Sequence, residues 1–164
     1  MREEFDAMGV PFESRGQRLD EWIEICRQVW TGRITRISGE HFTLDQRLVT
    51  EPRPARPIPI VVGGMSDAAL RRVATLADGW VPLVRGSPDP IETIGRGVQR
   101  VHELAEAAGR GSIELRVVYN AADPAAAGER LAGLQRAGVT DVMVDVDYAV
   151  ADGPERALAA VSGG

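Results

Sequence analysis

The stretch PIPIVVGGMSDAALRRVATLADGWVP, from Pro57 to Pro82, reads as a buried strand, a double-glycine turn, a helix and a second strand. Ile58, Ile60, Val61 and Val62 make a short β-branched run of the kind that is buried on both faces of a parallel sheet, and Gly63-Gly64 ends it. Ser66 stands where a helix cap is needed. The helix then places Ala69, Leu70, Val73, Leu76 and Ala77 on one face, stops at Asp78-Gly79, and releases the chain into Trp80-Val81. The whole is a βαβ unit with a permissive loop at the carboxyl end of its first strand.

Downstream the alternation continues. Arg85-Gly86-Ser87 leads to a helix opening at Pro88, with Ile91, Ile94, Val98, Val101, Ala105 and Ala108 facing inward and Gly109 and Gly111 closing it. Ile113 to Tyr119 is a third strand. Asp123 or a neighbour starts a helix carrying Leu131, Leu134 and Ala137, which ends at Gly138. Asp141 to Val146 is a fourth strand, and Pro154 to Val161 a short last helix.

Upstream, residues 1 to 14 are acidic and then irregular, with Gly9 and Pro11 interrupting any helix. A helix starting near Ser14 follows, with Leu19, Trp22, Ile23, Cys26, Val29 and Trp30 at helical spacing and Gly32 at its end. Ile34 to Leu44, ITRISGEHFTL, reads as a short hairpin or irregular excursion. Residues 45 to 57, with three prolines, read as a surface connection. One helix and then four strand-helix units predict an α/β protein with a parallel sheet, either an open doubly wound sheet or a portion of a barrel.

The bulk composition narrows the partners. At 164 residues the chain has the length of one domain, 1–164, and is long enough to hide roughly 70% of its unfolded surface. A formal net charge of −5, from mixed Arg, Asp and Glu with no lysine and no like-charge block, argues against nucleic acid or an anionic membrane. No apolar run approaches the ~18 residues of a membrane span, and MREEFDAMG lacks the apolar segment of a signal peptide, so the expected location is cytoplasmic. Cys26 is the single cysteine, which rules out an internal disulfide and reads as a small core residue.

The sequence also resembles a known family. The runs GVPFESRGQRLDEWIEICRQVWTG, GEHFTL, PIPIVVGGMSDAALRRVATLADGWVP and AGVTDVMVDV are similar, in order, to the second half of the bacterial luciferase-like monooxygenases. That family includes flavin-dependent monooxygenases and oxidoreductases of the deazaflavin coenzyme F420. The resemblance implies a (βα)8 TIM-barrel type of fold, present here as a half-barrel of about four parallel strands, the fifth to eighth, preceded by one helix. It implies FMN or the deazaflavin coenzyme F420 as cofactor and a small-molecule substrate. The strand-two and strand-three residues that act at the flavin ring fall outside such a half, so no catalytic residue is assigned. A half-barrel exposes two edges and an apolar inner face, which predicts a homodimer or a separate amino-terminal half-barrel as partner. The alternative is a non-catalytic module or remnant that keeps only the phosphate loop.

Gly63, Gly64, Met65 and Ser66 are the candidate cofactor-binding residues. Two glycines let backbone N–H groups approach a ligand and the following helix aims its positive end at the same place, which suits a phosphate. The resemblance agrees, since the family binds cofactor phosphate at this turn. The competing reading is that the glycines serve backbone geometry alone. Arg85, on the same rim, is a second phosphate candidate. Asp78, Gly79 and Trp80 read as structural and His41 and His102 as non-catalytic, while Asp145 and Asp147, on the rim at the end of the fourth strand, read either as ligand contacts or as loop residues.

Overall fold

Val62, Trp80 and Val117 stand in register across three neighbouring parallel strands, and all three are buried. In the computed structural model, all residues are described except 33, 34, 49, 85, 122, 123, 147, 150, 151, 163 and 164. The described chain divides into two compact units, Met1–Pro59 and Ile60–Gly164.

The second unit carries the strand-helix alternation. Its elements are β3 (Val61–Gly63), α3 (Asp67–Leu76), β4 (Gly79–Val81), α4 (Pro90–Ala107), β5 (Arg116–Ala121), α5 (Pro124–Arg136), β6 (Asp141–Val144) and α6 (Gly153–Ser162). The strands form one parallel sheet in the order β3-β4-β5-β6, as the alternation predicts. Side chains alternate between the two faces. Val62, Trp80 and Val117 face the helices. Gly63, Val118, Asn120 and Met143 lie on the opposite face, where Met143 is 58% exposed.

Several boundaries differ from the sequence reading. The first strand of this sheet starts at Val61, and Ile58, expected inside it, is 41% exposed and precedes the first residue paired with β4. The helix expected at Pro88 starts at Pro90, since Asp89 supplies the cap by accepting from the Glu92 N–H at 2.9 Å. The third strand begins at Arg116, three residues later than Ile113. Ser66 caps α3 as expected, its hydroxyl oxygen accepting from the Ala69 N–H at 3.2 Å.

Each residue of the Asp78-Gly79-Trp80 run has a structural task. The Asp78 carboxylate accepts from the Ile60 N–H at 2.9 Å, tying the entrance of β3 to that of β4. A Cβ on Gly79 would lie 2.6 Å from the Arg116 carbonyl, so only glycine lets β4 sit this close to β5. Trp80 is fully buried, and its ring fills the place a side chain on Gly97 of α4 would need. Arg110 donates to the carbonyls of Ala74 (3.1 Å) and Ala77 (2.9 Å), satisfying the carboxyl end of α3.

The first unit contains α1 (Arg2–Ala7), a 3-10 turn at Phe12–Ser14, α2 (Arg15–Val29) and the antiparallel pair β1 (Thr35–Ser38) and β2 (Thr43–Leu48). The hairpin reading of ITRISGEHFTL therefore holds, with β2 running on to Leu48 into the stretch read as a connection. The acidic start is helical after all, over a single short helix that ends before Gly9. On α2, Ile23 and Ile25 are the buried residues, Cys26 is half-buried, and Trp22 is 48% exposed, its ring 4.9 Å from that of Phe42. Glu21 holds the hairpin tip: its carboxylate accepts from the N–H groups of Glu40 (3.0 Å), His41 (3.1 Å) and Phe42 (3.1 Å). Gly39 is packed so closely on that carboxylate that a Cβ would collide with it.

Candidate functional site

Among the described residues on the carboxyl rim of the sheet, the turn after β3 offers a donor set for a ligand. Its two glycines serve different ends. Gly64 has φ +124°, and a Cβ there would lie 2.9 Å from Ala69 Cβ, so its glycine is a demand of the backbone. Gly63 has no such demand. It is exposed at the end of β3, and a Cβ would meet nothing nearer than the Val81 carbonyl at 3.8 Å.

The turn is fixed from within. The Trp80 indole N–H donates to the Gly64 carbonyl at 2.8 Å, and the Gly64 N–H reaches the Val81 carbonyl at 3.4 Å. Ser66 accepts from Ala69 through its hydroxyl and from the Leu70 N–H through its carbonyl at 2.9 Å. Among the described residues, the N–H groups of Met65 and Ser66 have no acceptor. Gly63, with room beside it, and these two donors sit at the positive end of a ten-residue helix, a donor set that suits an anion.

One acidic group shares that end. Asp67, the first residue of α3, pairs with Arg71 and, at 3.4 Å, with Arg100, so two guanidinium groups balance its carboxylate. Arg85, the other candidate phosphate ligand, lies outside the described residues, as does Asp147. Asp145 is exposed after β6, its N–H bonded to the Ala121 carbonyl at 3.0 Å. His41 lies in the first unit, its ring 3.4 Å from Gln17 Oε1, and His102 is half-buried on α4. Among the described residues no cluster of His, Cys, Asp and Glu is arranged to hold a metal.

At the opposite, amino-terminal end of the strands Arg116 and Asp141 form a two-pronged ion pair at 2.9 and 2.6 Å. The Arg116 guanidinium, helped by the Thr140 hydroxyl at 2.7 Å, lowers the Asp141 carboxyl to a pKa of about 2. This end of a parallel sheet is where charged pairs serve stability.

In the sequence Trp80 reads only as packing, and Gly97 carries no signal. Neither the indole bond to the turn nor the ring's seat on Gly97 has a local signature, because each joins residues distant in the chain. No described helix is long and apolar enough to cross a membrane.

Residues 2–129 match the family model described as luciferase-like monooxygenase. An uncharacterized protein of Mycobacterium tuberculosis is 41% identical over 157 residues, which cover 93% of this chain and 50% of that protein. The F420-dependent glucose-6-phosphate dehydrogenase of Nakamurella multipartita is 28% identical over 106 residues, covering 57% of this chain and 31% of that enzyme. Among solved structures, the coenzyme F420-dependent tetrahydromethanopterin reductase from Methanopyrus kandleri superposes with a TM-score of 0.66 at 16% identity. That superposition covers 98% of this chain and 69% of the reductase, and it shows a shared fold. The chain spans about half the length of the mycobacterial relative, and less of the dehydrogenase.

Proposed function

The chain belongs to the luciferase-like monooxygenase family, and on that premise we propose that the turn from Gly63 to Ser66 holds the phosphate of a flavin-type cofactor, FMN or coenzyme F420. The observation that carries the reading is Gly63. Its glycine is unexplained by the turn's own geometry, and it stands beside the N–H groups of Met65 and Ser66, which have no acceptor among the described residues. A phosphate needs such an approach, and backbone donors at a helix start supply it. The sequence adds Arg85, directly after β4 and its short exit, as a second ligand. The relatives named for F420 support a cofactor of this class.

When bound, such a cofactor supplies the redox chemistry of an oxidoreductase or monooxygenase acting on a small molecule. This chain's residues bind and orient its phosphate end. Residues 1–164 then act as one domain, the carboxyl-terminal half of a (βα)8 barrel. The half that completes such a barrel lies outside residues 1–164, and a second copy or a separate amino-terminal half-barrel could each supply it. Among the described residues no further strand pairs with β3 or β6, and this, with the exposed Leu83 and Met143, supports such an association. Light scattering is expected to show a species larger than one chain at micromolar concentration; a stable monomer would sink this part of the reading.

Titration with FMN and with F420 tests the site. Gly63→Asp adds a carboxylate in open space and is expected to weaken binding at least ~10-fold, with the circular-dichroism spectrum unchanged. Equal affinity in that variant refutes the phosphate assignment. Binding with no reduction of the cofactor would favour the non-catalytic module.

A further inference from the structure

The first unit holds a cleft of about 410 Å³, a volume within the ~300–1,000 Å³ range of small-molecule sites. Three arginines, Arg27, Arg53 and Arg56, line it together with Trp30, and Pro54 and Pro57 stiffen its wall. Among the described residues no carboxylate lines it. That concentration of positive charge is not a consequence of bulk composition, because the chain carries a net −5.

The end of α2 accounts for only part of it. A helix terminus presents roughly half a negative charge, and Arg53 answers it by donating to the Gly32 carbonyl at 3.5 Å. Gly32 has φ +66°, and the Arg53 side chain lies where a Cβ would go, its Cδ 2.8 Å from that position, so the arginine is seated by a glycine. Arg53 and Arg56 form no ion pair with a described carboxylate. Arg53 and Arg56, placed without a described counter-charge on a cleft that Trp30 also lines, are suited to receive a negative group attached to a flat, apolar body.

We propose that this cleft binds a small organic anion, with Arg53 and Arg56 pairing its phosphate or carboxylate and Trp30 covering its aromatic body. The site is separate from the glycine turn, and it stands or falls independently of the cofactor.

Phenyl phosphate is the probe. Titrated into the whole chain, it is expected to give saturable binding by calorimetry and a change in tryptophan fluorescence. Trp30→Phe should remove most of the fluorescence change while the heat persists. Arg56→Ala, at an exposed position, should weaken binding at least ~10-fold, and Arg56→Lys by less, because a lysine keeps the charge and loses the fork. Phenol, which lacks the anion, should not bind, and inorganic phosphate should bind more weakly than phenyl phosphate. Three results overturn the proposal: no saturable heat, an affinity unchanged in Arg56→Ala, or a fluorescence change that survives Trp30→Phe. A loss of binding in Gly63→Asp would also overturn it, by moving the anion to the other unit's turn.

Discussion

The indole N–H of Trp80 donates to the carbonyl of Gly64 at 2.8 Å, so the turn at the end of β3 is held by a side chain on the neighbouring strand. The bond joins the two motifs that the sequence shows sixteen residues apart, the double glycine and the Asp-Gly-Trp run.

Trp80→Phe isolates that bond. Phenylalanine keeps an aromatic ring over Gly97 and leaves the Gly64 carbonyl without its donor. The expected cost is ~1–3 kcal/mol, from the lost hydrogen bond and the smaller ring, measured as a shift in the urea midpoint. Faster exchange of the Gly64 amide, which is bonded to the Val81 carbonyl, than of amides elsewhere in the unit should accompany it; uniform exchange across the sheet would mean that the turn is held by something else.

Gly97→Ala should destabilise the protein although alanine is the better helix former. Propensity favours the change by ~1 kcal/mol, whereas the new methyl collides with the Trp80 ring, and overpacking of this kind costs ~1–3 kcal/mol. A double variant that also carries Trp80→Phe should recover part of the loss. Thermal melts of the three proteins decide it, and a Gly97→Ala protein at least as stable as the parent contradicts the packing described.

Stability should fall at acid pH in part through Asp141. Its carboxyl has a pKa of about 2 in the folded chain, against 3.8 ordinarily, because Arg116 and Thr140 hold the charged form. The contribution is therefore complete above pH ~4 and is lost as the pH falls toward 2. Both partners are partly open to solvent, which limits it to about 1 kcal/mol. Asp141→Asn should remove this part of the acid dependence; a difference between the two proteins that is the same at pH 2 and pH 6 would refute the linkage.

Glu21→Ala leaves three backbone N–H groups at the hairpin tip without their acceptor. These groups are near the surface, so water replaces part of what is lost and a cost of ~1–2 kcal/mol is expected. The amides of Glu40, His41 and Phe42 should exchange faster in the variant, with the sheet of the second unit unaffected. Glu21→Gln should lie between the two, since a neutral amide oxygen still accepts.

The order of elements was legible because hydrophobic spacing is a local property. The inner stripes of α3 and α4, apart from Ala108, which is exposed just past α4, the cap at Ser66 and the stops at Gly109 and Gly138 all follow from neighbours within a turn or two. Strand ends were less so. Ile58 and Ile113 have the composition of strand residues, yet pairing is decided by what lies alongside, and the sheet is joined only at Val61 and Arg116. The candidate site divides in the same way. Glycine at 63 and 64 was visible as a pair, but their different roles depend on a dihedral angle at one and on open space at the other. The tasks of Glu21 and Arg110 had no signal in the sequence, since each charged side chain reaches backbone many residues away.

The guanidinium of Arg110 grips carbonyls at the end of α3 from thirty-three residues downstream of Ala77. Chimaeras are therefore constrained: a crossover placed anywhere between Ala77 and Arg110 would pair a helix from one parent with a clasp from another. Exchanges of strand-helix units with relatives should be cut before Ile60 or after Arg110, so that helix and clasp travel together.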